Sequence, residues 1–146
     1  MAGMLFMAAN LTAMVLWAAL ILARFFKPLR RVVDPAAGYV APALFAVGYL
    51  VLVVAFIGRA EGDMGSLAGV AAMFSLPEML LAGWLHYIAF DLFVGGWIAR
   101  TGDAEGVSPW LLAPILAATL IFGPIGFLAF VVVRLVRGRR AATVAS

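Results

Sequence analysis

The stretch SLPEMLLAGWLHYIAFDLFVGGWIAR, residues 75–100, decides how this chain folds. It is apolar and long enough to cross a bilayer, because about 20 residues of helix span a hydrocarbon core of about 30 Å. It nevertheless contains His86, the single histidine of the chain, and the acidic Asp91. A side chain that is costly to place in hydrocarbon normally has a function or a partner there. We therefore expect this helix to carry the functional site and the rest of the chain to build a pocket around it.

The start of this helix is predicted by a capping box. In that motif Ser75 is the N-cap, Pro77 lies in the first turn and Glu78 occupies the third helical position. His86 then falls near the midplane of the membrane. Asp91 follows five residues later, about 140° further round the helix axis, so one isolated helix does not direct both side chains to one point.

The composition is that of a membrane protein with several spans. The chain has 146 residues, of which 66% are hydrophobic and 12% are charged. The net charge of +3 comes from arginines at the ends of apolar runs, which indicates topology signals and lipid headgroup contacts and excludes a nucleic-acid-binding protein. There is no cysteine, which excludes disulfides, thiolate catalysis and cysteine-based metal sites.

The hydropathy pattern predicts an all-α membrane protein with four transmembrane helices in a single domain, residues 1–146. The predicted spans are residues 2–23, 38–57, 76–99 and 109–133. Residues 24–37 read as a basic juxtamembrane loop. The apolar residues 67–74 are too few to span, which favours a short interfacial or re-entrant helix before the third span. Residues 134–146 form a basic tail that we expect to be flexible.

The fourth span contains the sequence Gly-Pro-Ile-Gly at residues 123–126, which predicts a break near its middle. With four crossings the basic residues divide equally between the two sides, so the positive-inside rule assigns no orientation. A fourth segment that folds back at 123–126 would instead place both basic clusters on one side. We favour four crossings and leave the orientation open.

Candidate site residues follow from the polar and aromatic side chains inside the spans. We expect catalytic roles for His86, Asp91 and Glu78, although helix capping already explains Glu78. Aromatic side chains can line a pocket for a flat conjugated ligand, and each of them also fits ordinary packing. The expected substrate-binding residues are Trp84, Tyr87, Asn10, Trp17 and Phe74, of which Asn10 equally suits an interhelical hydrogen bond.

Several chemistries are excluded by missing motifs. The sequence has no glycine-rich phosphate loop, no nucleophile elbow and no HExxH pattern. One histidine cannot supply a site of three or four histidines within a protomer. Two possibilities remain, namely acid–base chemistry between an imidazole and a carboxylate in a dry environment, or a metal ion held by His86, Asp91 and Glu78.

Three short motifs resemble those of the abscisic-acid-deficient-four-like family, small membrane proteins of plants and bacteria. They are GxAxMFS at residues 69–75, WxHxxxxDLF at residues 84–93 and GPxG at residues 123–126. The resemblance covers roughly residues 66–137, and more loosely Asn10 and Trp17. It implies an integral membrane protein that acts on a hydrophobic carotenoid or isoprenoid.

Plant members of this family are required to form neoxanthin, so the resemblance implies isomerisation of the epoxy-carotenoid violaxanthin to an allenic alcohol. That reaction gives a proton to the epoxide oxygen and takes one from the polyene end, and it needs no redox cofactor. The composition, rich in alanine, glycine and arginine, and the lack of a transit-like leader suggest a bacterial inner-membrane protein. Its substrate is then expected to be another carotenoid or isoprenoid lipid.

The leading hypothesis is a carotenoid- or isoprenoid-modifying membrane enzyme with isomerase-like acid–base chemistry. One alternative is metal-dependent oxidative cleavage of a carotenoid, with ligands shared across a homodimer. The other alternative is a non-catalytic pigment- or lipid-binding accessory subunit. Metal content separates the first alternative from the leading hypothesis, and bound ligand without turnover identifies the second.

Overall fold

A computed structural model describes residues 2–144 of the chain, with side chains described up to residue 138. All regular structure in these residues is helical. The helices are α1 (Ala2–Leu22), α2 (Lys27–Pro35), α3 (Ala41–Phe56), α4 (Leu67–Met73), α5 (Pro77–Ala104), α6 (Pro109–Phe122) and α7 (Pro124–Val144). A π-helical turn, Ala36–Val40, joins α2 to α3, and a 3-10 turn, Ile57–Arg59, follows α3.

Three helical segments are long and apolar enough to cross a membrane. They are Ala2–Leu22, Lys27–Arg59 and Pro77–Ala104. The prediction of an all-helical membrane protein is thereby confirmed. The predicted spans 2–23, 38–57 and 76–99 fall within or close to these segments, and the fourth predicted span differs, as described below.

Helix α5 is the centre of the bundle and packs against α1, α3 and α6. Close approach is possible because α5 carries glycines where its neighbours meet it, as is common in membrane helix packing. A Cβ atom on Gly95 would overlap the ring of Trp17 in α1, and one on Gly96 would reach the backbone of Gly38. Helix α1 runs parallel to α5, and α3 runs antiparallel to it.

Residues 27–37 are helical, so the predicted juxtamembrane loop is wrong over most of its length. The reason lies in Arg24, whose side chain is fully buried. Its guanidinium pairs with Asp34 in α2 and with Asp103 near the end of α5. These ion pairs tie α2 to the ends of α1 and α5, and α2 continues through the π-helical turn into α3.

The fourth apolar segment forms a helical hairpin. Gly123, with φ of +46°, ends α6, and α7 folds back along it. Beyond the turn, Arg134 Nε lies 2.8 Å from Glu105 Oε1, next to the start of α6. Helix α6 has 14 residues, which is about 21 Å of helix and shorter than a hydrocarbon core of about 30 Å. Residues 109–133 therefore have the geometry of the fold-back alternative.

Three predicted boundaries also differ. The N-cap of α5 is Leu76 with no side-chain cap, and Ser75 Oγ instead donates to the Ala72 carbonyl at 2.6 Å, so the capping box is wrong. Helix α5 extends past residue 99 to Ala104, where Asp103 bonds to Arg24. Helix α7 extends past the predicted end of the fourth span at residue 133 to Val144, and the last two residues lie outside the described part of the chain.

Candidate functional site

The main candidate site is a cavity of about 270 Å³ between α3, α4 and α5, on the side of α5 that carries His86. Its wall is apolar except at two side chains. The residues that define it include Tyr49, Val53, Met73, Phe74, Met79 and His86. Among the described residues that line the cavity, His86 and Tyr49 are the two with a titratable group. The short helix α4 closes one end of the cavity and contributes Met73.

The imidazole of His86 lies next to two aromatic rings, one from α3 and one from α5. Its centroid lies 5.6 Å from that of Tyr49 on α3 and 4.8 Å from that of Phe90, one turn further along α5. The spacing of four residues places Phe90 on the same face of α5 as His86. His86 itself is exposed at the surface of the bundle, so a ligand can reach it from the surrounding lipid.

A second cavity, of about 320 Å³, lies further along the interface of α3 and α5, and the two cavities together are called the groove. Phe90 and Phe93 from α5 and Tyr39 from the start of the second span lie on its wall. From Met79 in the first cavity to Phe93 in the second, the groove follows α5 for about 21 Å. This shape suits an elongated, apolar ligand whose end group reaches His86.

Asp91 lies on a different face of α5 and does not meet His86. A Cβ atom added to Gly123 would be 3.0 Å from Asp91 Oδ1, so the carboxylate packs against the turn between α6 and α7. Tyr87, one helical turn earlier, lies on the same face of α5 as Asp91. The two side chains are about 140° apart around the axis of one helix. The structure therefore does not bring the expected acid–base pair of His86 and Asp91 together.

Glu78 lies in the first turn of α5 and does not line the His86 cavity. There its negative charge is favourable, because a helix N-terminus carries partial positive charge. Within the part of the chain that the structure describes, no three His, Asp or Glu side chains come close enough to hold a metal ion. The hypothetical metal site of His86, Asp91 and Glu78 is thus not formed by these residues in one chain.

The predicted substrate-binding residues divide into two groups. Phe74 lines the His86 cavity. The others lie on the α1 side of α5, where Trp84 Nε1 donates to Asn10 Oδ1 at 2.7 Å and Tyr87 stacks on Trp84 with centroids 5.4 Å apart. Trp17 is 2% exposed and packs on α5. For Asn10 and Trp17 the contacts are those of helix packing.

Sequence reasoning missed Tyr49 as a site residue. It is the tyrosine near the middle of α3, and its position deep in an apolar run was the signal that could have identified it. It was missed because neither hydropathy nor motif spacing relates α3 to His86. Only the packing of α3 antiparallel to α5 places Tyr49 beside the imidazole.

The sequence also gave no indication of the buried ion cluster at the end of the bundle. Arg24 pairs with Asp34 and Asp103, donates from Nε to the Leu20 carbonyl at 3.1 Å, and shares Asp103 with Arg30 at 3.1 Å. No buried side-chain nitrogen or oxygen lacks a partner in the described residues. A cluster that is enclosed and fully paired has a structural role.

Comparison with known proteins gives one result. The family model ABA4-like, described as ABA DEFICIENT 4-like, matches residues 4–130. That range includes α1 to α6, the hairpin turn and the His86 cavity. No curated protein and no solved structure matches the chain significantly.

Proposed function

The chain belongs to the ABA4-like family, whose role at family level lies in carotenoid (neoxanthin) metabolism, and we propose that it isomerises a carotenoid or related isoprenoid lipid in the groove between α3 and α5. One observation carries this proposal. His86 and Tyr49, the two titratable side chains among the described residues that line the first cavity, lie together in otherwise apolar surroundings.

Ligand binding follows from the shape and composition of the groove. A carotenoid is a long apolar polyene with a ring at its end, and the groove offers an aromatic cavity and, beside it, the cavity of His86. The ring end group occupies the His86 cavity, where Met73 and Met79 supply flexible, polarisable contacts. The polyene extends past Phe90 toward Phe93. Entry is from the lipid phase, because the groove opens on the surface of the bundle that faces hydrocarbon.

The chemistry is a transfer of two protons. The Tyr49 hydroxyl donates a proton to the oxygen of an epoxide end ring as the carbon–oxygen bond breaks. The neutral imidazole of His86 accepts a proton from a carbon of the polyene end, whose electrons form the new double bond. Product and substrate have the same composition, and a return of the proton from His86 to Tyr49 restores the site. General acid–base catalysis of this kind typically contributes about 10²- to 10⁴-fold to a rate. For a substrate without an epoxide, the same pair supports a double-bond rearrangement.

The other predicted catalytic residues take different roles in this account. Asp91 is a positioning residue, because it packs against Gly123 and thereby holds the tip of the α6–α7 hairpin against α5. Glu78 stabilises the start of α5. The inner membrane of a bacterium remains our proposal for the location of this membrane protein.

Expression in hosts that accumulate β-carotene or, separately, epoxy-xanthophylls tests the proposal. Pigments are separated by chromatography and identified by mass, both from whole cells and from the purified protein. A new isomer with the mass of its precursor supports the enzyme. Pigment that copurifies unchanged identifies a binding subunit instead, and a product of lower mass identifies oxidative cleavage.

A further inference from the structure

The fold-back of α7 collects the positive charge of the protein at one end of the bundle. This basic end is where the C-terminal ends of α1 and α5, the start of α6 and the later part of α7 lie together. Among the described residues, 2–144, Arg59 is the one Lys or Arg at the opposite end, where it is accompanied by Glu61, Asp63 and Glu78. Among the residues whose side chains are described, the basic end has Arg24, Lys27, Arg30, Arg31, Arg100, Arg134 and Arg137.

Ion pairing within the protein neutralises only part of this charge. Asp34 and Asp103 pair with Arg24 and Arg30, and Glu105 pairs with Arg134 at 2.5 Å. The hydrogen bond to Glu105 raises the pKa of Arg134 above its ordinary value. The three acidic side chains at the basic end, those of Asp34, Asp103 and Glu105, are thus all already in ion pairs.

Three exposed cations at this end keep an uncompensated charge among the described side chains. Lys27 and Arg31 are exposed on α2 and form no ion pair among the described side chains. Arg137 donates Nη2 to the carbonyls of Glu105 and Gly106, at 3.1 and 3.2 Å, which are neutral acceptors. These groups project from two elements, α2 and α7, on the same end of the molecule.

The apolar side chains around them place this end at the level of the lipid headgroups. Trp110 is 80% exposed, and its ring lies 5.0 Å from that of Phe25. Phe26 is also exposed. Exposed tryptophan and phenylalanine beside lysine and arginine are typical of the membrane–water interface. In α2, exposed Val32 accompanies Lys27 and Arg31, as expected of a helix that lies along that interface.

We propose that the basic end, through Lys27, Arg31 and Arg137, binds the headgroups of anionic phospholipids in the cytoplasmic leaflet. Opposite charge and interfacial depth together favour phospholipid headgroups as the partner. The cytoplasmic side follows because loops rich in lysine and arginine stay on that side. This inference does not depend on the proposed enzymatic activity.

Spin-labelled lipids test the proposal on the full chain in vesicles of phosphatidylcholine. Electron paramagnetic resonance gives the fraction of labelled phosphatidylglycerol, and of labelled phosphatidylcholine, that the protein immobilises. We expect a preference for phosphatidylglycerol of up to about fivefold for each cation, since a basic residue near an anionic surface contributes about 1 kcal/mol. The preference should fall in the K27Q/R31Q variant and in high salt, which screens charge.

The matched control is Arg59→Gln, which removes a cation from the opposite end and should leave the preference unchanged. Unlike Lys27 and Arg31, Arg137 also donates hydrogen bonds to backbone carbonyls, which gives it a structural role. A separate Arg137→Gln variant therefore tests the contribution of α7. Equal immobilisation of the two lipids by the unsubstituted protein would overturn the proposal. An equal loss of preference in Arg59→Gln and in K27Q/R31Q would also overturn it, because the selectivity would then not reside at the basic end.

Discussion

The ring of Tyr49 on α3 lies 5.6 Å, centroid to centroid, from the imidazole of His86 on α5. These two residues are 37 positions apart in the sequence, and the antiparallel packing of two membrane helices brings them to one cavity. A proton donor and a proton acceptor beside an apolar groove form a minimal site for acid–base chemistry on a lipid-soluble substrate.

Replacing Tyr49 with phenylalanine removes the hydroxyl and keeps the ring that packs on His86. We expect turnover of an epoxide substrate to fall by about 10²-fold or more, since the proton donor is lost, while binding of the polyene changes little. Initial rates and the binding constant, measured on the same purified variant, separate these effects. The control is Tyr39→Phe, at the far end of the groove. Equal rates in Tyr49→Phe and the unsubstituted protein would show that Tyr49 is not the acid.

Filling the His86 cavity should block ligand binding. A Cβ atom on Gly83 would lie 2.9 Å from Phe74 Cε1, so Gly83→Val forces the Phe74 ring into the cavity. Overpacking typically costs about 1–3 kcal/mol, and we expect carotenoid affinity to fall by roughly tenfold. Gly3→Val is the matched control, because a Cβ there meets nothing within 4 Å. Affinity is measured by carotenoid absorbance in detergent, and equal loss in both variants would indicate a general effect on folding.

Loss of Arg24 should destabilise the bundle strongly. Arg24→Met leaves Asp34 and Asp103 without their buried partner, and removal of one member of a buried ion pair typically costs about 3–5 kcal/mol. Denaturant unfolding in a neutral detergent measures the change in the free energy of unfolding. Arg31→Met, at an exposed position, should stay within about 0.5 kcal/mol of the parent. A small effect for Arg24→Met would mean that the ion cluster does not hold α2 in place.

The hairpin makes a prediction about which residues share a side of the membrane. The chain has no cysteine, so single-cysteine variants report position without background. In sealed vesicles, a membrane-impermeant maleimide should label Gly138→Cys from the same side as Arg31→Cys, and Met64→Cys from the other side. If Gly138→Cys is labelled together with Met64→Cys, the fourth segment crosses the membrane and the hairpin is incorrect.

Much of the fold could be predicted from the sequence, because membrane spans depend on local hydropathy. Apolar runs and the conformational limits of glycine and proline predict the spans of α1, α3 and α5, the short helix α4 and the break at residues 123–126. The direction of the chain after Gly123 could not be predicted in this way. It is set by contacts between residues far apart in the sequence, such as the packing of Phe130 on Trp97 and the ion pair of Arg134 with Glu105, which leave no local pattern.

The site was predicted in part for the same reason. His86 and Phe74 were identified because polar or aromatic residues within apolar runs stand out locally. Asp91 also stood out, but it packs on the hairpin turn, and a carboxylate that stabilises a turn has the same sequence signature as one that reacts. Tyr49 and the partners of Arg24 depend on contacts between separate helices, which one sequence does not reveal.

The most direct test of the central claim is turnover by the purified protein in lipid vesicles. The unsubstituted chain, His86→Ala and Asp91→Asn are each supplied with an epoxy-carotenoid, and products are identified by chromatography and mass. We predict an isomer of unchanged mass from the unsubstituted chain, its loss in His86→Ala, and its retention in folded Asp91→Asn, whose side chain faces away from the cavity. Product from His86→Ala at the unsubstituted rate would contradict the claim that His86 is the reacting base.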